Sequence, residues 1–136
     1  MNKVSTICII NDDDIFTFIL KKSITKLNIC NEVISFINGD EAIKEFEKPN
    51  SSIPNIILLD INMPVLNGWD FLTEFVKINI PIKVDIYLIS AHISNEDLIK
   101  AKNQKEITGI LTDPTDNKIL IEIVETYTGS NKKGSL

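Results

Sequence analysis

The chain has 136 residues, of which 43% are hydrophobic and 24% charged, and its net charge at pH 7 is -5. This length and composition fit one globular domain with a single core and exclude a largely disordered chain. The acidic balance argues against nucleic-acid binding, because gripping phosphates requires clustered Lys and Arg. No apolar run approaches the ~20 residues needed to cross a bilayer, and the N-terminus lacks the layout of a secretory signal. We therefore expect a cytoplasmic protein with no membrane partner.

Strands and helices alternate from the start of the chain. Val4–Ile10 is a β-branched apolar run that predicts a buried strand, and four polar residues, 11–14, follow it. Apolar residues at helical spacing then continue to Leu27, with lysines on the opposite face, and predict the first helix. Residues 33–37 predict a second, short strand. The sequence of residues 38–40, Asn-Gly-Asp, breaks that strand and opens a second helix.

The central stretch, residues 56–72, is the most informative part of the chain. Residues 56–59 are bulky and aliphatic, which predicts a strand buried on both faces, as in a parallel sheet covered by helices. The run ends in a carboxylate, Asp60, and a turn with Pro64 and Gly68 leads into a third helical pattern. Ligands of open α/β sheets bind outside the carboxyl ends of the strands. A carboxylate is costly to desolvate there, so we expect Asp60 to meet a cation or to have a chemical task.

Two more strands and two more helices complete the pattern. Residues 82–89 predict a fourth strand, and Asp85 is expected toward its outer end because a charge is out of place in a doubly buried strand. Residues 97–102 predict a weakly apolar fourth helix, and residues 107–111 a fifth strand. The amphipathic pattern of residues 119–127 predicts the last helix. Five strands that alternate with five helices predict an α/β fold with a doubly wound parallel sheet.

Polar residues follow four of the predicted strands, at carboxyl ends that share one edge of the sheet. They are Asn11, Asp12, Asp13, Asp60, Ser90 and Asp113. Carboxylates from two strand ends form a hard-oxygen site suited to Mg²⁺. A metal between Asp12 and Asp60 would screen an incoming phosphoryl group from the negative charge of the site. Asp60 would then be the nucleophile, and the Ser90 hydroxyl would donate a hydrogen bond to a phosphoryl oxygen.

These residues resemble the receiver domain of bacterial response regulators, over about residues 3–127. The resemblance rests on INDDDIF at the first strand end, LLDINMPVLNGWDFL in the middle, ISA after the fourth strand and an X-Pro step after the fifth. The central motif, with its Met-Pro and Gly, is the most specific of the four. The resemblance implies a flavodoxin-like sheet of strand order 2-1-3-4-5 in a receiver domain of residues 1–128. We expect a flexible C-terminal tail at residues 129–136.

The resemblance also implies roles for single residues. Asp60 would accept a phosphoryl group from a sensor histidine kinase or a phosphotransfer protein, and Asp12 would bind Mg²⁺ directly. Asn62 would add its backbone carbonyl to the metal site. Ser90 would be the hydroxyl that moves toward the phosphoryl group, with the small Ala91 beside it. The chain would thus be no classical enzyme but a stand-alone receiver, which shuttles phosphoryl groups or binds an unknown downstream protein target when phosphorylated.

Three positions depart from the family pattern. Asn11 replaces an acid that orients metal-bound water, so we expect it only in the outer shell of a weaker Mg²⁺ site. Asp113 replaces the near-universal lysine that pairs with the phosphoryl group, and Ile110 stands where an aromatic switch residue often lies. His92 is expected in a solvated loop, at a position that influences how fast the phosphoryl group is lost. These departures keep an alternative open, a degenerate receiver that binds a protein partner without being switched by phosphate.

Two further alternatives concern the strand ends. Local sequence allows Asp113 to cap the last helix, with Pro114 at its first position. The family pattern instead starts this helix near Asp116 and makes the peptide before Pro114 cis, which would aim residue 113 into the crevice; we favour this second arrangement.

Phosphatases of the haloacid-dehalogenase type also use a strand-end aspartate. They usually carry a second aspartate two residues later, where this chain has Asn62.

Overall fold

The computed structural model describes residues 2–63, 66–90 and 93–133, with side chains to residue 129. Expectations that concern Pro64, Ala91 and His92 lie outside the described residues. The strands are β1 (Val4–Ile10), β2 (Cys30–Phe36), β3 (Ile56–Asp60), β4 (Asp85–Ile89) and β5 (Ile107–Leu111). The helices are α1 (Asp14–Leu27), α2 (Gly39–Phe46), α3 (Gly68–Phe75), α4 (Asn95–Lys102) and α5 (Asn117–Lys133).

The five strands form one parallel sheet of order β2-β1-β3-β4-β5, which confirms the predicted fold. Side chains of each central strand alternate between two hydrophobic cores, because successive residues of a strand point to opposite faces. In β3, Ile56 and Leu58 pack with α1 and α5, whereas Ile57 and Leu59 pack with α2, α3 and α4. All four are fully buried. This burial on both faces fixes the position of Asp60 at the end of the strand.

Side-chain caps start the helices close to the strand ends. Asp13, Asn38, Asn67 and Ser94 cap α1 to α4, and each accepts a hydrogen bond from the backbone N–H three residues later. Such caps satisfy donors that a helix leaves unpaired at its N-terminus. The caps of α1, α3 and α4 follow the strand ends that carry the predicted site, and therefore fix where each of these helices begins.

Three boundaries bear on the predictions. β4 begins at Asp85, so the charge lies at the outer end of the strand, as predicted. β2 begins at Cys30, earlier than predicted, because this edge strand exposes Asn31 and Glu32 and loses the apolar pattern there. α5 continues to Lys133, past residue 127, where the predicted last helix ends. One glycine costs a helix only about 1 kcal/mol, which is too little to end this one. Residues 134–136 lie outside the described part.

No helix within the described ranges has both the length and the apolar character to span a bilayer.

Candidate functional site

A cleft of about 360 Å³ lies at the carboxyl ends of β1, β3, β4 and β5. All six polar residues predicted at the strand ends line it together: Asn11, Asp12, Asp13, Asp60, Ser90 and Asp113. They come together because parallel strands bring their carboxyl ends to one edge of the sheet. Asn62, the remaining predicted residue, lies on the loop after β3 and contacts two of these six by hydrogen bonds.

Asp60 is the last residue of β3 and is half-buried. Its Oδ1 accepts a hydrogen bond of 3.0 Å from the backbone N–H of Asn62. Burial raises the pKa of Asp60 above its usual range, and the charges of Asp12 and Asp13 raise it further. The N–H groups of Asn62 and Ile61 lower the pKa and offset part of this effect. The environment of the Asp60 carboxylate therefore disfavours its negative charge, and a bound cation would stabilise that charge.

The polar residues after β1 divide into two groups. Asn11 is buried, and its Oδ1 accepts a hydrogen bond of 2.9 Å from the backbone N–H of Asp13. Asp13 in turn caps α1 through a bond of 3.0 Å from the N–H of Phe16. Asp12 is exposed and lines the cleft, and no donor among the described residues binds its carboxylate. Asp13 is thus used by the fold, whereas the oxygens of Asp12 are available to a ligand.

Asp113 lines the cleft, but the backbone around it corrects the favoured prediction. None of the peptide bonds in the described ranges is cis, so the predicted cis bond before Pro114 is wrong. The carbonyl of Asp113 accepts a hydrogen bond of 3.2 Å from the N–H of Asp116 and closes a four-residue turn. Proline is favoured in trans at the second position of such a turn. The Asp113 carboxylate also accepts a bond of 2.9 Å from the Thr115 hydroxyl.

The start of α5 also excludes the other arrangement, in which Asp113 would cap the helix. α5 begins at Asn117, and the Oδ1 of Asp116 accepts hydrogen bonds from the N–H groups of Lys118, at 2.8 Å, and Ile119, at 3.4 Å. Asp116 therefore occupies the capping position. The helix start near Asp116 is as predicted, and Asp113 is left exposed beside the cleft.

The family model described as "Response regulator receiver domain" matches residues 7–125. The chain belongs to this family. Receiver domains are signalling domains of two-component systems, so the match confirms the resemblance found in the sequence. Ile110, at the position often aromatic in receivers, is partly buried and packs against the core formed with α2, α3 and α4.

Three similar proteins place this receiver among its relatives. It is 27% identical to the response regulator Rcp1 of Synechocystis over 128 residues, which cover 91% of this chain and 86% of Rcp1. It is 26% identical to the sensor histidine kinase CheAY of Helicobacter pylori over 85% of this chain, but it spans only 14% of CheAY. The crystal structure of a two-component response regulator from Cytophaga hutchinsonii superposes with a TM-score of 0.84 at 26% identity. That match covers 94% of this chain and 99% of the other.

The oxygen atoms of the cleft fit Mg²⁺ better than a transition metal. No group of three or more His, Cys, Asp or Glu in the described part of the receiver is arranged to hold a metal ion. Mg²⁺ needs no such group, because it keeps several waters and is typically held by one or two carboxylates. Asp12 and Asp60 offer two carboxylates at adjacent strand ends. No Lys or Arg lines the cleft within the described ranges, so these carboxylates have no basic side chain beside them there.

Asn62 and Trp69 each make a side-chain contact that could not be predicted from the sequence. The side-chain amide of Asn62 donates a hydrogen bond of 3.3 Å to the Ser90 hydroxyl, although the sequence suggested only a backbone role for Asn62. Trp69, in the first turn of α3, donates from its indole N–H to Asp97 of α4, at 3.1 Å. Lys100 of α4 lies over the same indole ring, 4.7 Å from its centre. Both contacts join loops or helices that are distant in sequence, where no spacing pattern could indicate them.

Proposed function

We propose that this receiver accepts a phosphoryl group on Asp60 from a phosphohistidine of a sensor histidine kinase or phosphotransfer protein. The observation that carries the proposal is the convergence of Asp12, Asp60 and Ser90 in one cleft. A half-buried carboxylate with a raised pKa, flanked by other carboxylates in a cleft, is typical of a functional site. The phosphorylated domain then signals to a downstream protein through a conformational change.

The proposed chemistry assigns one task to each side chain. A carboxylate oxygen of Asp60 attacks phosphorus and forms a P–O bond, while the P–N bond of the phosphohistidine breaks. The imidazole nitrogen keeps the electron pair and takes up a proton. Asp12, Asp60 and the backbone carbonyl of Asn62 would hold Mg²⁺, which when bound supplies positive charge against the transferred group. The Ser90 hydroxyl donates a hydrogen bond to a phosphoryl oxygen.

One observation favours a second candidate, a receiver that binds a protein partner but is not switched by phosphate. Asp113 places a carboxylate in the cleft at the position of the family's lysine. Two unit charges ~4 Å apart in a medium of effective dielectric ~20 interact by roughly 4 kcal/mol, so a carboxylate near the phosphoryl group would disfavour it. Mg²⁺ and water screen that repulsion, and Asp12, Asp60 and Ser90 are all retained. We therefore place phosphorylation first.

Intact mass separates the two candidates. After incubation with acetyl phosphate and Mg²⁺, the wild-type receiver should gain the mass of one phosphoryl group, and a chelator should abolish the gain. Asp60→Asn should gain nothing. Asp70→Asn, which neutralises an exposed carboxylate in the first turn of α3 outside the cleft, should react like the wild type. If no adduct forms with several donors, the proposal is wrong and the phosphate-independent module takes its place.

A further inference from the structure

Asn62 connects two parts of the cleft that come from different loops. Its backbone N–H donates to Oδ1 of Asp60, at 3.0 Å, and its side-chain amide donates to Oγ of Ser90, at 3.3 Å. β3 and β4 pair so that Asp60 lies opposite Ile89, and Ser90 is the next residue along the chain. One residue thus contacts both the carboxylate that would carry the phosphoryl group and the hydroxyl that would bind it.

The contact with Ser90 restricts how that hydroxyl can act. A serine hydroxyl rotates and has one donor and two acceptor positions. When Oγ accepts a hydrogen bond from an amide, its own O–H must point away from that amide. Donors held in advance toward a developing negative charge stabilise it more effectively than donors that must first be oriented. An amide that restricts the orientation of Oγ would therefore favour Ser90 as a donor to a phosphoryl oxygen.

The surroundings of Asn62 argue against a role in stability. The residue is exposed, and α3 is capped by Asn67 instead. The amide contributes neither to a hydrophobic core nor to a helix cap. Removal of the side chain as Asn62→Ala leaves the backbone N–H to Asp60 and the backbone carbonyl in place. A substitution there tests the amide with little expected effect on the fold.

We infer that Asn62 is a positioning residue, whose side-chain amide orients the Ser90 hydroxyl toward the phosphoryl group on Asp60. The inference rests on the proposed function and adds to it. It assigns the side chain of Asn62 a task separate from that of its backbone carbonyl. It also predicts that the effect of Asn62 on phosphoryl binding requires the Ser90 hydroxyl.

A double-mutant cycle measures this dependence. The dissociation constant of the phosphoryl mimic beryllofluoride, with Mg²⁺ present, is determined by calorimetry for the wild type, Asn62→Ala, Ser90→Ala and the double variant. Asn62→Ala should weaken binding about fivefold, within the range of one hydrogen bond. In the Ser90→Ala background the same change should alter binding by less than about twofold, because the hydroxyl that the amide orients is already absent. Independent sites would give the same effect in both backgrounds to within about twofold. Asn79→Ala, an exposed asparagine in the loop after α3, should bind like the wild type.

Each outcome decides between the inference and the function on which it rests. If Asn62→Ala weakens binding equally in both backgrounds, or not at all, Asn62 does not act through Ser90 and the inference is wrong, while the proposed function stands. If the wild type binds no beryllofluoride and gains no phosphoryl group from acetyl phosphate, the proposed function fails and the inference with it. Urea unfolding of all four proteins checks that the fold is retained, since changes in binding without changes in stability indicate positioning.

Discussion

Gly68 packs directly against the backbone that follows Asp60, and only a residue without a side chain fits there. A Cβ at this position would lie 2.7 Å from both Cα and Cγ2 of Ile61, and 3.1 Å from the carbonyl oxygen of Asp60. The N–H of Gly68 also donates to the carbonyl of Ile61, at 3.3 Å. No glycine in the described ranges has a positive φ, so space and not backbone conformation requires glycine here. We predict that Gly68→Ala destabilises the receiver and displaces the loop beside Asp60.

Two effects of this substitution oppose each other. Overpacking of a filled site costs about 1–3 kcal/mol. Alanine in place of glycine in a helix gains at most about 1 kcal/mol, and less in the first turn, where Gly68 lies. The steric cost is larger, so the free energy of unfolding should fall by about 1–2 kcal/mol. With a urea dependence of about 1–3 kcal/mol per molar, the midpoint should fall by roughly 1 M.

Urea unfolding followed by circular dichroism measures the change, and Gly129→Ala is the matched control. Gly129 lies in α5, and a Cβ there would meet nothing within 4 Å. Only helix propensity then acts, so this variant should be more stable than the wild type by up to about 1 kcal/mol. A Gly68→Ala midpoint at or above that of the wild type would refute the steric argument.

Three further predictions concern the cleft and α4. Burial and neighbouring charges raise the pKa of Asp60, so the folded state binds the carboxyl proton more tightly than the unfolded state does. Stability therefore falls as the pH rises from the ordinary pKa of 3.8 through the raised pKa. Asp60→Asn should therefore be more stable than the wild type in urea at pH 7 without metal, and a gain that persists below pH 3.8 would contradict this cause. Asp113→Lys should shift the phosphorylation equilibrium roughly tenfold, and so raise the phosphorylated fraction at fixed donor. It should also weaken Mg²⁺ binding to the unphosphorylated receiver, and wild-type values of both quantities would show that Asp113 faces away. Trp69→Phe removes the hydrogen bond to Asp97 and should speed amide exchange in α4 but not in α2. Equal exchange rates in α4 of the wild type and the variant would show that this hydrogen bond does not stabilise α4.

The fold could be predicted because its determinants are local patterns. Residues 56–59 are apolar without interruption, which indicates a strand covered on both faces, and the structure buries all four. The edge strand β2 was harder, since Asn31 and Glu32 face solvent and interrupt the apolar pattern. The extent of α5 past Gly129 escaped prediction for a similar reason, because residues 130–133 are all polar in sequence and give no apolar pattern.

The site could be predicted in its composition but not in its loops. Asp12, Asp60 and Ser90 follow buried strands, and parallel strands bring such ends together. Of the two interpretations of Asp113, the capping one was wrong, and the other was wrong in its cis peptide bond. The choice depended on which aspartate caps α5 and on the turn around Pro114. The cap of α5 and the turn both depend on tertiary contacts, which the spacing of residues in a short loop does not indicate.

The location of the phosphoryl group tests phosphorylation of Asp60 most directly. After reaction with acetyl phosphate and Mg²⁺, borohydride reduction converts an aspartyl phosphate to homoserine, and peptide mass spectrometry then identifies the modified position. The proposed function predicts homoserine at residue 60, with none in protein treated with chelator. A phosphoryl group that survives hydroxylamine and maps to Ser90, or homoserine only at another aspartate, would contradict the assignment of Asp60 as the phosphoacceptor.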